Sequence, residues 1–498
     1  MLAKRVAYNT LVQIGGKIVG FIISGVSLVL VAEHLGTYNM GNYVTIIAFV
    51  GFFVTLSDLG ANLLMVRDIS QNEGEREKIT GEFFGFRLTF SLVIMALAPL
   101  VAAFIPQYGE LIIKGALIAV AAQFVLLVNQ MFISMLQTQL MLDRGVLAEL
   151  INRVVTLGLI IYALKIGSSG IAFFYAVLYA TLIGAVVNLL VTFSFARGLW
   201  PVRPKVSLQG WKRMMIAIAP LGVFTFLGMV HFKADTIMLS LLKTPTEVGI
   251  YGYAYKVGEI LFTFPTMFMG AVFPRLSQLF ISDRAAFNRF AQTAFDAILI
   301  GTIPFLTFVF IAAKYFTLLL SRSNFNDGVL AGYSLQLLTI AMVAWFIGTF
   351  FIHVLIMAND YKGLIRNLSI AVVINILLNL FLIPKYTYYG AAISTGLTEI
   401  LMLGLTVVYT SRSLNFRPRL NYLPKTLLAT AVMAVALVGI TTLPLADAGT
   451  FAEGSRTAQM LLIIALAAVG AATFLAVFWP LGGRQLRAGW RQNEVATS

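Results

Sequence analysis

The chain has 498 residues, of which 59% are hydrophobic and 11% charged, with a mean hydropathy of +0.89. A soluble domain carries about 25% charged residues, so this composition reads as an integral membrane protein, and the helix-length apolar stretches below make the expected fold class all-α. Cysteine is absent, which excludes disulfides and thiolate metal sites, and the three histidines (His34, His231, His353) are too scattered for a metal cluster.

Fourteen apolar stretches follow one another along the chain, each near the roughly 20 residues that cross a hydrocarbon core. They run over 9–33, 42–66, 83–105, 111–137, 146–166, 169–196, 214–242, 248–273, 291–320, 329–358, 364–384, 388–411, 424–444 and 457–481. With the N-terminus cytoplasmic, 23 Lys and Arg fall on the inner side and seven on the outer. The inner set includes Lys4, Arg5, Arg67, Arg76, Lys78 and the Arg484, Arg487, Arg491 tail; the outer set includes Lys114, Lys243 and Arg322. The positive-inside bias therefore predicts both termini in the cytoplasm. It also accounts for the net charge of +14 without nucleic acid. The first stretch is too long for a signal-peptide core and leads directly into a second span.

No segment between spans is long enough to fold alone, which argues against a membrane-embedded polymerase or ligase. No GxxxxGK[ST] phosphate loop occurs, which argues against an ATP-driven pump. The chain reads as a transporter and not an enzyme, with no cofactor. A weak repeat joins Gly41-Asn42-Tyr43, entering span two, to Gly249-Ile250-Tyr251, entering span eight, at an offset of 208. Gly170-Ile171-Ala172 and Gly390-Ala391-Ala392 echo each other at spans six and twelve. Two halves of six spans, an even number, share one orientation, so their axis lies along the membrane normal. The expected organisation is a lobe over 1–200, a second over 201–420, and two further spans with a tail over 421–498.

Within the spans, Gly16 and Gly20 form a close-packing pair in span one, and Pro220, Pro265 and Pro304 interrupt spans seven, eight and nine. Five cations lie in apolar spans: Lys17, Arg87, Arg153, Lys233 and Lys256. A charge at bilayer depth costs about 3 kcal/mol by insertion scales, so such groups face a partner or a hydrated cavity. Lys17 lies about 13 Å into span one at 1.5 Å per residue. Arg87 is expected to snorkel to the inner surface. Glu149 and Arg153 stand four apart, a spacing that permits an intrahelical ion pair. Asp58 either caps a break before Gly60 or balances charge. Span seven carries His231, Lys233 and Asp235. Span eight carries Tyr251, Tyr255, Lys256 and Glu259, with Lys256 and Glu259 three apart. Asp235–Lys256 and Lys233–Glu259 contacts are both feasible. Asn375 and Asn379, four apart, are expected to hold helices together.

These residues fall in a recognisable pattern. Leu35-Gly36, Gly41, Tyr43, Ser57-Asp58-Leu59-Gly60 and Arg67 open it. Ala219-Pro220, Asp235, Val248-Gly249-x-Tyr251, Pro265 and Phe273-Pro274 continue it, and INILLNLFLIPKYTYYGAAISTGLTE closes it. Over residues 1–412 the chain resembles the polysaccharide transporter family, which includes Wzx-like O-antigen flippases. That family belongs to the multidrug/oligosaccharidyl-lipid/polysaccharide exporter superfamily. The resemblance implies two six-helix lobes forming a V-shaped central cavity, and alternating access without ATP. It implies transfer of a polyprenyl-linked oligosaccharide to the outer leaflet of the cytoplasmic membrane, for cell-envelope polysaccharide biosynthesis. Glycan polymerase or glycosyltransferases of the pathway would be its partners. In the superfamily's peptidoglycan-precursor flippases, two extra C-terminal helices form a groove for the lipid tail; spans thirteen and fourteen match them in number.

Chemistry and resemblance together assign roles. Lys17, Arg153, Lys233 and Lys256 would hold the pyrophosphate, and Tyr251 and Tyr255 would stack on sugars or line the lobe interface. Asp235, Glu259, Glu149 and Asp58 would balance those cations or bind a coupling H+ or Na+. Two alternatives remain open: a peptidoglycan-precursor flippase, and a cation-coupled drug or metabolite antiporter of the same superfamily, which the excess of cations disfavours.

Overall fold

A computed structural model describes residues 2–321, 324–444 and 447–483; Arg322 and the Arg484, Arg487, Arg491 tail lie outside them. The described residues form helices throughout: α1 Leu2–Asp58, α2 Ala61–Gln71, α3 Arg76–Ala103, α4 Glu110–Thr138, α5 Leu142–Lys165, α6 Gly170–Ala196, α7 Leu208–Leu242, α8 Pro245–Leu261, α9 Thr263–Ser282, α10 Arg284–Leu320, α11 Phe325–Met357, α12 Tyr361–Leu414, α13 Leu423–Thr441, α14 Ala448–Glu453 and α15 Arg456–Phe478. Twelve helical segments among the described residues are long and apolar enough to cross a membrane. The chain is a multi-pass membrane protein.

Twelve segments hold the fourteen apolar stretches because two are bent pairs. A straight helix of 57 residues, the length of α1, would run about 85 Å, nearly three times the hydrocarbon core. Gly36 breaks it with φ 69° and ψ 167°, a conformation that the absence of a Cβ makes accessible. The 54-residue α12 turns at Thr387, with φ 53° and ψ −130°, just after Pro384. A β-branched residue there is held by its surroundings rather than by preference. Beside that turn the chain backbones approach so closely that a Cβ on Gly390 would overlap the Leu382 carbonyl. The stretch 248–273 also resolves into two pieces, α8 and α9, parted at Phe262 shortly before Pro265. In contrast, α10 runs on through Pro304.

The chain divides into two compact units, Met1–Gly249 and Ile250–Ser498. The first is built on Phe83, Phe84 and Phe86 of α3, Met131, Phe132 and Met135 of α4, and Met65 of α2, all buried together. Its repeat glycines meet. A Cβ on Gly41 of α1 would overlap the Pro245 carbonyl and crowd the Gly249 amide, and a Cβ on Gly249 of α8 would overlap the Thr37 carbonyl. Positions 37 and 245 are themselves 208 apart, as are 41 and 249, so the contact is reciprocal under the repeat offset.

The connector between α6 and α7 is fastened to α3. Trp200 Nε1 donates to Thr80 Oγ1 at 3.1 Å, and the Arg76 guanidinium lies 5.1 Å from the Trp200 ring. Lys205 N donates to Gly81 O at 2.8 Å, and a Cβ on Gly85 would overlap the Lys205 carbonyl. Ser207 then caps α7 by accepting from Gly210 N at 3.2 Å.

In the second unit, Met269 and Leu276 of α9, Phe287 and Phe295 of α10 and Phe350 and Phe351 of α11 form one core, closed by Phe416. A separate cluster packs Met433 and Leu437 of α13 and Leu466 and Phe474 of α15 against α10. The last two spans are thus docked on α10. The two arms of α12 are joined by amides: Asn375 Nδ2 donates to Ser394 Oγ at 3.4 Å and Thr398 Oγ1 at 3.3 Å, and Asn379 Nδ2 donates to Asn375 Oδ1 at 3.1 Å. Asn375 and Asn379 hold helices together, as their spacing suggests.

Candidate functional site

Three elements converge at one end of the first unit. On α1, residues 13, 16, 17, 20 and 24 recur at three- and four-residue spacing and share a face. On α5, Val146, Glu149 and Arg153 do the same. The two faces cross where α1 is smallest: a Cβ on Gly16 would overlap Val146, and one on Gly20 would stand 3.2 Å from Arg153 Nε. The close-packing pair of span one is therefore the seat of the α1–α5 crossing. Beyond it the helices part, and α4 completes a cavity of about 220 Å³. Gln13 and Lys17 of α1, Gln130 of α4 and Glu149 of α5 supply its polar groups, and aliphatic side chains supply the rest.

The site cations differ in how they are held. Arg153 donates from Nε and Nη2 to Glu149 Oε1, at 3.2 and 2.5 Å, and from Nη1 to Gly20 O at 3.1 Å and to Ser24 Oγ. It pins α5 to α1. Lys256 donates to Glu259 Oε2 at 2.7 Å, the i,i+3 pair that the spacing allowed. Lys17 is exposed to the cavity and has no carboxylate partner among the described residues.

Arg87 corrects an expectation. It does not snorkel: its side chain is only 4% exposed, and Nη2 donates to Asp58 Oδ1 at 2.5 Å. Nη1 donates to Asn62 Oδ1 at 2.7 Å, Asn62 Nδ2 donates to Asp58 Oδ1 at 3.1 Å, and Ser134 Oγ reaches Asn62 Oδ1 at 3.4 Å. The reason is local packing. Thr80 through Arg87 are all buried, so the guanidinium has an internal carboxylate nearer than water. Asp58 ends α1, and Leu59 (φ 45°) and Gly60 (φ 80°) turn the chain into α2. The N-cap of α2 is Gly60, without a side-chain cap, so Asp58 balances Arg87 rather than capping the break.

The remaining candidates divide between the units. Asp235 of α7, in the first, is 1% exposed, next to buried His231 and Thr236. Lys233 Nζ stands 5.9 Å from the Phe232 ring. Tyr251 and Tyr255 of α8, in the second, are buried and stacked on each other at 5.6 Å. Sequence reasoning missed Gln13 and Gln130, because a neutral amide in a span gives no signal until its cavity is seen. It also missed Asn62, the amide that completes the Arg87 network.

The family model described as "Polysaccharide biosynthesis protein" matches residues 2–280. A relative from Haloferax volcanii, "Probable low-salt glycan biosynthesis flippase Agl15", is 23% identical over 427 residues, covering 83% of this chain and 85% of that one. The fold is similar to that of the lipid II flippase MurJ in an inward closed conformation, with TM-score 0.74 and 15% identity over 96% of this chain and 99% of the other. A multidrug resistance MATE family transporter of the MOP superfamily in an inward-facing conformation gives TM-score 0.62 at 13% identity, over 79% of this chain and 94% of its own. With more than half of its length matched, the chain belongs to the polysaccharide biosynthesis protein family.

Proposed function

We propose that this transporter is a flippase moving a polyprenyl-pyrophosphate-linked oligosaccharide from the inner to the outer leaflet of the cytoplasmic membrane by alternating access. The observation that carries the reading is Lys17: an ammonium exposed to a cavity it shares with Gln13, Gln130 and Glu149, with no ion pair among the described residues, while Arg87, Arg153 and Lys256 each hold an acid. A pyrophosphate cannot enter hydrocarbon without losing its hydration, and an uncommitted lysine replaces part of it as a point charge. The relative named as a glycan biosynthesis flippase supports the substrate class.

The cavity lies at the N-terminal ends of α1 and α5 and the C-terminal end of α4, the end that the positive-inside bias assigns to the cytoplasm. That is where a lipid-linked glycan assembled in the cytoplasm would load. Residues 1–200 and 201–420 act as the two moving repeats, and 421–498 as an addition docked on α10. Lys233 and Lys256 take the pyrophosphate after loading, and Asp235 and Glu259 bind the coupling H+ or Na+. Tyr251 and Tyr255 support the sugar path, and Arg153 with Glu149 keeps the loading site open. Glycosyltransferases and a polymerase of the same pathway supply and consume the substrate. A peptidoglycan-precursor substrate is the second reading, favoured by the fold match with MurJ that extends over the last two spans.

The test is leaflet exposure of a defined polyprenyl-pyrophosphoryl oligosaccharide in proteoliposomes, with lipid II as a parallel substrate. Transfer of the first, lost in Lys17→Ala at unchanged incorporation, is expected. Lys17→Ala protein that transfers at the wild-type rate sinks the reading, and transfer of lipid II alone selects the second one.

A further inference from the structure

The cavity beside Lys17 holds more than a phosphate site needs. Gln13 and Gln130 place two carboxamides on it, and neither makes a hydrogen bond among the described residues. Glu149 adds a carboxylate whose Oε1 is taken by Arg153, leaving Oε2 without a partner among the described residues. Amides that both donate and accept, beside a carboxylate that only accepts, match a ring of hydroxyls. The aliphatic wall suits the CH face of a pyranose. At about 220 Å³ the space is below the ~300–1,000 Å³ of drug-sized pockets and above the ~150 Å³ that admits one benzene ring. It fits one ring.

We propose that this cavity is a single-sugar subsite, in which Gln13, Gln130 and the free oxygen of Glu149 read the hydroxyls of the sugar attached to the pyrophosphate, and that this sugar is neutral. The proposal rests on the flippase reading of Lys17. An acidic sugar would set its carboxylate against Glu149 Oε2, where like charges repel, so Glu149 selects against uronic acids at this position.

The test uses the full chain in nanodiscs and three ligands: a short-chain polyprenyl pyrophosphate without sugar, with one neutral hexose, and with one hexuronic acid. Binding is read by native mass spectrometry. The hexose form is expected to bind roughly tenfold tighter than the sugar-free form, the factor that about one net hydrogen bond gives. The hexuronic form should bind more weakly than the hexose form. Gln130→Leu should erase the difference between the hexose and sugar-free forms; Gln13→Leu serves if that variant does not fold. Equal binding of hexose and sugar-free forms overturns the subsite while the pyrophosphate reading stands. Hexuronic binding as tight as hexose binding overturns the selection by Glu149. Binding of none of the three overturns both.

Discussion

The Arg87–Asp58 pair gives a stability cycle whose sign and size follow from its burial. Removing one partner of a buried pair costs about 3–5 kcal/mol because the other charge is left uncompensated. The two sides are unequal here: Arg87 is 4% exposed and Asp58 36%. Asp58→Ala leaves the buried guanidinium with only Asn62 Oδ1, but water reaches the vacated side, so the expected loss is about 2 kcal/mol. Arg87→Met strands the more exposed carboxylate, which water can solvate, for about 1 kcal/mol. The double variant removes both charges and should lie within about 1 kcal/mol of wild type, since an apolar replacement of a buried pair is often near neutral. The assay is reversible unfolding of the purified protein in mild detergent for all four forms. If the two single losses simply add in the double variant, the pair is not energetically coupled and the reasoning fails.

Other expectations are as direct. Gly41→Ala should lower the yield of monodisperse protein in fluorescence-detected size exclusion, because its Cβ meets backbone atoms of Pro245 and Gly249 that cannot rotate aside; overpacking of this kind costs about 1–3 kcal/mol. Gly15→Ala, whose Cβ meets nothing within 4 Å, is the control, and equal behaviour of the two refutes the contact. Lys256→Ala should abolish export at near-normal abundance in the membrane; recovery of export in the exchanged pair Lys256→Glu/Glu259→Lys would make its role structural. Asp283 caps α10 by accepting from Ala285 N and Ala286 N, both at 2.9 Å, and these amides hold its carboxyl below the ordinary 3.8. A depressed acid stabilises the fold above its unfolded value and loses that contribution as pH falls through the folded one. Asp283→Ala should therefore melt earlier than wild type at neutral pH, and the gap should close as pH drops below the ordinary carboxylate value. A gap independent of pH contradicts this.

Span number and order were legible because twenty apolar residues in a row have few other uses. The pairs Glu149–Arg153 and Lys256–Glu259 were legible because helical spacing alone brings them together. Gly41 and Gly249 announced themselves as a repeat, and their contact gives the repeat a steric reason. Arg87 was misread because an arginine near a span end is ambiguous until its face of the helix is known. Residues 80–87 look no different in sequence from a lipid-facing turn. The cavity was invisible for a related reason: Lys17, Gln130 and Glu149 come from three helices, and no local pattern records which faces converge.

The fastened connector has a consequence for chain continuity. Arg197–Ser207 could reach about 36 Å if extended, yet its middle is tied to α3 by one side-chain and one backbone hydrogen bond and by the glycine groove. A tether whose middle is already docked adds little to the association of the elements it joins when packing holds those elements without it. Cutting it between Trp200 and Lys205 should therefore leave α6 and α7 seated, so that the two fragments co-purify and the nicked protein unfolds as one. Covalent linkage there is nearly redundant with packing, and the same connector is the place where this chain would tolerate being made from two genes.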